Sequence, residues 1–164
     1  MVILGLDPGI AETGYAVIHA RGQTLRAHAC GVLRTRPGAS AASRLGRIHD
    51  GVAGLIAEHA PGAAAVEELY VGPNPRGILA LGQARGAALA ACGSAAVDVR
   101  EYAVSTIKVA VCGYGRAEKR QVARMVRMIL ALDHEPRNEH EADALAAAIC
   151  HAQQARIPVA GSVA

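Results

Sequence analysis

The feature that most constrains this chain is its first strand-like run, Val2-Ile3-Leu4-Gly5-Leu6-Asp7, which stops at a carboxylate and a Pro8-Gly9 turn. A continuous apolar run without alternation describes a strand covered on both faces, as at the centre of a layered α/β domain. An acid at the end of such a strand is costly to bury unless it is paired, hydrogen-bonded or bound to a cation. The fold must therefore cover both faces of this strand and supply something that answers the charge at its end.

The rest of the chain fits around that strand. Thr13–His19 and Thr24–Leu33 read as second and third strands, and their short links predict an antiparallel meander. A loop over Thr35–Ala41 contains Pro37-Gly38. Leu45, Ile48, Val52, Leu55 and Ile56 then fall at helical spacing, with Ser43 as the expected cap. Ala63–Leu69 reads as a fourth strand interrupted by Glu67 and Glu68. A Gly/Pro-rich loop, Val71–Arg76, leads into a helix over Ile78–Cys92, and Ala96–Tyr102 reads as a fifth strand. Helices are expected over Val104–Val111, Ala117–Ala131 and Glu139–Ala155. Residues 1–155 would form one domain and 156–164 a loose tail. Three antiparallel strands joined to two helix-connected parallel ones give an α/β fold: a mixed five-stranded sheet flanked by helices, in the ribonuclease-H-like arrangement.

Composition narrows the class. An apolar fraction of 52% with a formal net charge of only +3 excludes disorder as the main state. Every long apolar stretch is broken by Arg, His, Asp, Gly or Pro, which argues against a membrane span. The N-terminus lacks the basic start and long apolar stretch of a signal peptide, so a cytoplasmic protein is expected. Cys30, Cys92, Cys112 and Cys150 form no CxxC or Cys/His spacing and read as buried free thiols. With no Phe or Trp, and much of the apolar count in alanine, the helices are expected to pack closely.

The acids then become informative. Asp7 and Glu67 sit on strands that would be neighbours in this sheet. In Asn138-Glu139-His140-Glu141-Ala142-Asp143, His140 and Asp143 are three apart and share a helix face. Asn138 can cap that helix, and the positive end of its dipole accounts for Glu139 and Glu141. It accounts less well for Asp143, which precedes the apolar run Ala144–Ile149. Carboxylate oxygens with one imidazole suit Mg²⁺ or Mn²⁺, and the imidazole favours Mn²⁺. Two such cations on a phosphodiester would activate water and stabilise the leaving oxygen.

Gly5-Leu6-Asp7-Pro8-Gly9 with Thr13-Gly14-Tyr15 strongly resembles the opening motif of the RuvC family of Holliday-junction resolvases. Val66-Glu67-Glu68-Leu69-Tyr70, Leu81-Gly82-Gln83-Ala84-Arg85-Gly86, Glu101-Tyr102, Ala117-Glu118-Lys119 and Ala142-Asp143-Ala144-Leu145-Ala146 follow in family order, spanning roughly residues 3 to 151. The resemblance implies a homodimeric, divalent-metal-dependent endonuclease that cuts two opposed strands of a four-way DNA junction and leaves ligatable ends. It implies work beside the RuvA and RuvB branch-migration proteins. Carried over by position, the catalytic and metal-binding residues are Asp7, Glu67 and Asp143, with His140 where some members have Asp. Two ions per site and a preference for Mn²⁺ are the expectation.

For DNA contacts, Arg116, Arg120, Arg124 and Arg127 form one basic helical stripe with Lys119 beside it. Arg116, Lys119 and Arg120 are expected to bind phosphate, while Arg124 and Arg127 read as surface. Lys108 and Lys119 match family positions near the active site. Tyr70, on a loop with Arg76, resembles the aromatic that stacks at the junction centre, whereas Tyr15 and Tyr102 read as packed tyrosines. Gly82 and Gly86 offer a smooth helix face for either a dimer or the sheet. A related nuclease acting on RNA or other branched DNA would share the acids. A sugar-kinase-like ATPase would share the glycine turn but usually needs a much longer chain. A silent junction binder would be expected to have lost an acid.

Overall fold

The computed structural model of the chain describes residues 1–69 and 75–155, with backbone alone at positions 75 and 76. Strands β1 (Val2–Asp7), β2 (Glu12–Arg21) and β3 (Thr24–Arg34) form the meander, followed by α1 (Ala41–His59). Then come β4 (Ala63–Glu67), α2 (Pro75–Ser94), β5 (Asp98–Tyr102), α3 (Val104–Cys112), α4 (Lys119–Leu130) and α5 (Glu139–Gln154). The sheet order is β3-β2-β1-β4-β5, antiparallel across β1, β2 and β3 and parallel across β1, β4 and β5. This is the expected mixed sheet. Tyr70, the 71–74 loop, the Arg76 side chain and residues 156–164 lie outside the described structure.

Two apolar layers explain the unbroken β1 run. Ile3 packs with Ala16, Ile18 and Ala65 against α3, α4 and α5. Leu4 and Leu6 pack with Val17, Ala64 and Val66 against α1 and α2. Helix α4 sorts its faces cleanly, burying Val122, Val126 and Leu130 while Arg120, Arg124 and Arg127 stay exposed. Helix α5 is buried almost continuously from Glu141 to Ala152, which is why its sequence is so rich in alanine.

Some boundaries move for local reasons. The cap of α1 is Ser40 rather than Ser43: the Ser40 hydroxyl accepts from the Ser43 N–H at 3.2 Å. Strand β4 ends at Glu67 instead of running to Leu69, and the Glu68 N–H, donating to the Tyr102 carbonyl, makes the last bond of its ladder with β5. Strand β5 starts at Asp98, after a left-handed residue at Ala96 with φ 53°. Only Cys92 and Cys150 are fully buried, while Cys30 and Cys112 are half-buried.

The α5–sheet contact is unusually close at two glycines. A methyl group on Gly5 would overlap the Ala144 carbonyl oxygen and stand 2.9 Å from Ala148 Cβ. A methyl group on Gly14 would overlap the His140 carbonyl oxygen. Neighbouring backbone cannot retreat as a side chain can, so Gly5→Ala should cost about 3 kcal/mol or more. Thermal denaturation should show this as a fall on the order of 10 °C in Tm.

Candidate active site

Asp7 and Glu67 end the adjacent parallel strands β1 and β4, so both carboxylates emerge at the same end of the sheet. Helix α5 begins over that end. Asn138 caps it through an Oδ1 contact to the Glu141 N–H at 2.8 Å, and the first turns bring His140 and Asp143 to the acids. His140 Nδ1 lies 2.6 Å from Asp7 Oδ2, and this contact is the main reason the imidazole pKa is raised, with burial opposing it. Lys119, the first residue of α4, closes the other side. Its Nζ is 2.5 Å from Glu139 Oε2 and 3.7 Å from Asp143 Oδ2.

The electrostatics show a site with more negative charge than it neutralises. Burial first, then the carboxylates of Asp143 and Asp7, push Glu67 up to about 7, against the opposing pull of Lys119 and Lys108. Burial and then Asp7 raise Asp143 as well. Carboxyl groups gathered in a half-buried cleft, with the ionisation of Glu67 and Asp143 opposed by neighbouring charge, form a hard-oxygen donor set suited to a divalent cation. Among the described residues, no three His, Cys, Asp or Glu side chains close on one point, so cation binding would draw them together.

The structure thus brings Asp7, Glu67, His140 and Asp143 into one site, with Lys119 at its mouth. Lys108 is near enough to lower the Glu67 pKa, and Arg120 shares a cleft with Lys119 and Asp143. Arg116 is exposed just before α4. Arg127 donates instead to the carbonyls of Leu132 and Asp133, finishing α4. Tyr102 is packed, its hydroxyl 2.8 Å from His151 Nδ1, and the hydroxyl of the half-buried Tyr15 lies against Gly31. Glu141 does more than complement the helix dipole. It is buried, accepts from the Cys30 thiol at 3.0 Å and from the Arg137 N–H at 3.2 Å.

The functional residue that sequence reasoning missed is Arg85. This buried α2 arginine donates from Nη1 to the Glu67 carbonyl at 2.8 Å and pairs through Nη2 with Glu101 on β5. It fixes the end of β4 from behind, and so aims Glu67. Both residues stand in motifs that follow the family order, Leu81–Gly86 and Glu101-Tyr102, but nothing in the sequence joined the arginine on the helix to the glutamate in a strand sixteen residues on.

Two outcomes follow for the metal-free protein. Above the ordinary carboxylate range, Glu67 and Asp143 hold protons in the folded state that the unfolded chain has released, so stability falls as pH rises. The paired His140 adds in the same direction, because its contribution is lost as pH rises through its raised pKa. In EDTA, Tm should therefore drop between pH 5 and 8, and Mg²⁺ or Mn²⁺ should raise Tm most at the upper end. Asp7→Asn should flatten both trends. Replacing Arg85 by Met should cost about 2 kcal/mol and weaken the cation-induced Tm shift, with Arg85→Lys recovering part of each; unchanged cation response in Arg85→Met would remove its positioning role.

Comparison with known proteins agrees with this geometry. The family model described as crossover junction endodeoxyribonuclease RuvC matches residues 3–151. The RuvC protein of Natranaerobius thermophilus is 46% identical over 157 residues, covering 96% of this chain and 98% of that one. The RuvC protein of Burkholderia pseudomallei is 49% identical over 152 residues, covering 93% and 83%. The solved structure of T. thermophilus RuvC in complex with Holliday junction substrate superimposes with a TM-score of 0.91 at 41% identity, covering 95% of each chain. The yeast mitochondrial Holliday junction resolvase, at 13% identity and a TM-score of 0.67 over 92% of this chain and 78% of that one, shares the fold alone. This chain therefore belongs to the RuvC family of crossover junction endodeoxyribonucleases.

Proposed function

We propose that the chain resolves four-way DNA junctions by hydrolysing one phosphodiester in each of two opposed strands, in recombination and repair. The observation that carries this reading is the meeting of three carboxylates, Asp7, Glu67 and Asp143, at the open end of two parallel strands, where the charge of Asp7 opposes ionisation of the other two. These residues, with His140, would hold Mg²⁺ or Mn²⁺, two ions per site. When bound, the cations supply Lewis-acid stabilisation of charge developing on the phosphodiester. A water oxygen attacks phosphorus, the bond to the departing strand oxygen breaks, and that oxygen takes up a proton. His140 is oriented by its Nδ1 contact to Asp7, which leaves Nε2 to move a proton or meet a cation. Lys108, Lys119, Arg116 and Arg120 neutralise phosphates at the mouth, with Arg76 and Tyr70 on the junction-centre side, Tyr70 stacking on a base there.

Symmetric cutting calls for a second copy related by a two-fold axis. Gly82 and Gly86 support one surface for it: a methyl group at either would meet nothing within 4 Å, so neither packs on the sheet. The sheet side of α2 is instead Ala84, Ala88, Ala91 and Cys92, and the outer side continues through exposed Leu79. RuvA and RuvB are the proposed working partners. No helix among the described residues is long and apolar enough to cross a membrane, and the proposed location is the cytoplasm.

A synthetic mobile junction tests the reading. The wild-type chain should nick opposed strands in pairs with either metal, faster with Mn²⁺. Asp7→Asn should still bind the junction while its cleavage falls by more than about a hundredfold. Binding without paired nicking in the wild type would favour a silent binder. Equal rates with the two metals, or undiminished cleavage by His140→Ala, would remove the assigned role of His140.

A further inference from the structure

The basic stripe on α4 lies to one side of the acids. On the other side is a second concentration of positive charge that the sequence pattern did not single out. Arg34, Arg36, Arg44 and Arg47 line a shallow cleft with Ala39 and Ser43, between the end of β3 and the first turns of α1. Arg44 is held by neutral acceptors only: its Nε donates to the Thr35 hydroxyl at 2.9 Å and its Nη2 to the Ile10 carbonyl at 3.0 Å. That anchors the guanidinium without cancelling its charge. Arg34 pairs with Glu12 at 2.9 Å, and both side chains remain partly exposed. Arg36 and Arg47 are exposed and make no side-chain hydrogen bond or ion pair among the described residues. The first turn of α1 contains no acid to offset the positive end of its dipole. Four guanidinium groups thus face one carboxylate.

The cleft is joined to the acid site by one short loop. Ile10, which Arg44 grips, belongs to the segment linking β1 to β2 immediately after Asp7, and Glu12, which Arg34 pairs with, is the first residue of β2. The same loop touches the acid site, since a methyl group on Gly9 would stand 3.7 Å from His140 Cε1, and Glu12 contributes to the raised His140 pKa. A ligand reaching from Asp7 into the cleft must carry negative charge in more than one place, which a DNA backbone does.

We infer that the Arg34–Arg36–Arg44–Arg47 cleft binds the sugar–phosphate backbone of a junction arm where it leaves the active site across the β1–β2 loop, so that the scissile strand is held on both sides. This rests on the junction-resolving reading above. It adds a second phosphate surface, opposite the α4 stripe.

The test uses the full chain and a four-way junction with long arms, measuring Kd as a function of salt. Arg36→Ala/Arg47→Ala removes two side chains that brace nothing in the fold, and an unchanged Tm confirms that. Its Kd should rise roughly tenfold near physiological salt, and the slope of log Kd against log salt should fall by about one for each lost phosphate contact. Arg21→Ala/Arg100→Ala, which removes the same charge at exposed positions outside both surfaces, should change Kd less than about twofold. Single-turnover cleavage of junction already bound should keep the wild-type rate. Equal weakening by both double variants would reduce the effect to bulk charge and overturn the inference. So would an unaltered affinity and salt slope in Arg36→Ala/Arg47→Ala, with the resolvase reading left standing. A wild-type chain that binds no junction overturns both.

Discussion

The depth to which α5 settles into the sheet governs this molecule. Gly5 on β1 and Gly14 on β2 lie on neighbouring strands, Gly14 opposite Asp7, and a side chain at either would strike the α5 backbone, at Ala144 and His140 respectively. With those positions empty, the helix lies directly on the strands, and its Ala144 and Ala148 side complete the contact. The same closeness brings His140 within hydrogen-bond reach of Asp7. A bulkier layer between helix and sheet would push the α5 residues away from the β1 and β4 acids. Core packing and site geometry are therefore one constraint here.

Charge is the second organising force. The site gathers carboxylates that resist ionising together and then surrounds them with groups of opposite sign. Lys119 bridges towards Glu139 and Asp143 from α4, and His140 leans on Asp7 from α5. Each counter-charge can be displaced: the Lys119 and Glu139 side chains are well exposed, and the His140 ring is 41% exposed. A divalent ion entering the cleft would take over a neutralising role that the protein fills weakly. Backbone support, by contrast, is firm, with Arg85 behind Glu67 and the Asn138 cap behind the start of α5.

Much of this was legible in the sequence because the relevant signals were local contradictions. An acid at the end of an apolar strand marked Asp7, and an acid facing an alanine-rich helix run marked Asp143. The element order and sheet type followed from periodicity and link length. What escaped depended on contacts between distant segments. Arg85 looked like one polar residue on a helix until Glu101 and the Glu67 carbonyl stood beside it. Glu141 had an adequate local explanation in the helix dipole, and only the approach of β3 showed its partner to be Cys30. Ser43 and Ser40 both satisfy a capping pattern, and the path of the entering chain chose between them. The arginines near positions 34 to 47 fall on a strand end, a loop and a helix, so no single period connects them.

Helix α2 has two faces with different duties. Its outer side is smooth and open at Gly82 and Gly86, and its inner side carries the guanidinium that grips the end of β4. A rod of this kind does not bend locally at one turn without moving the next. Tilting it by pressure on the glycine side would carry Arg85 along and shift the strand end that presents Glu67. The geometry of the acid site is thereby exposed to whatever leans on the far side of a single helix.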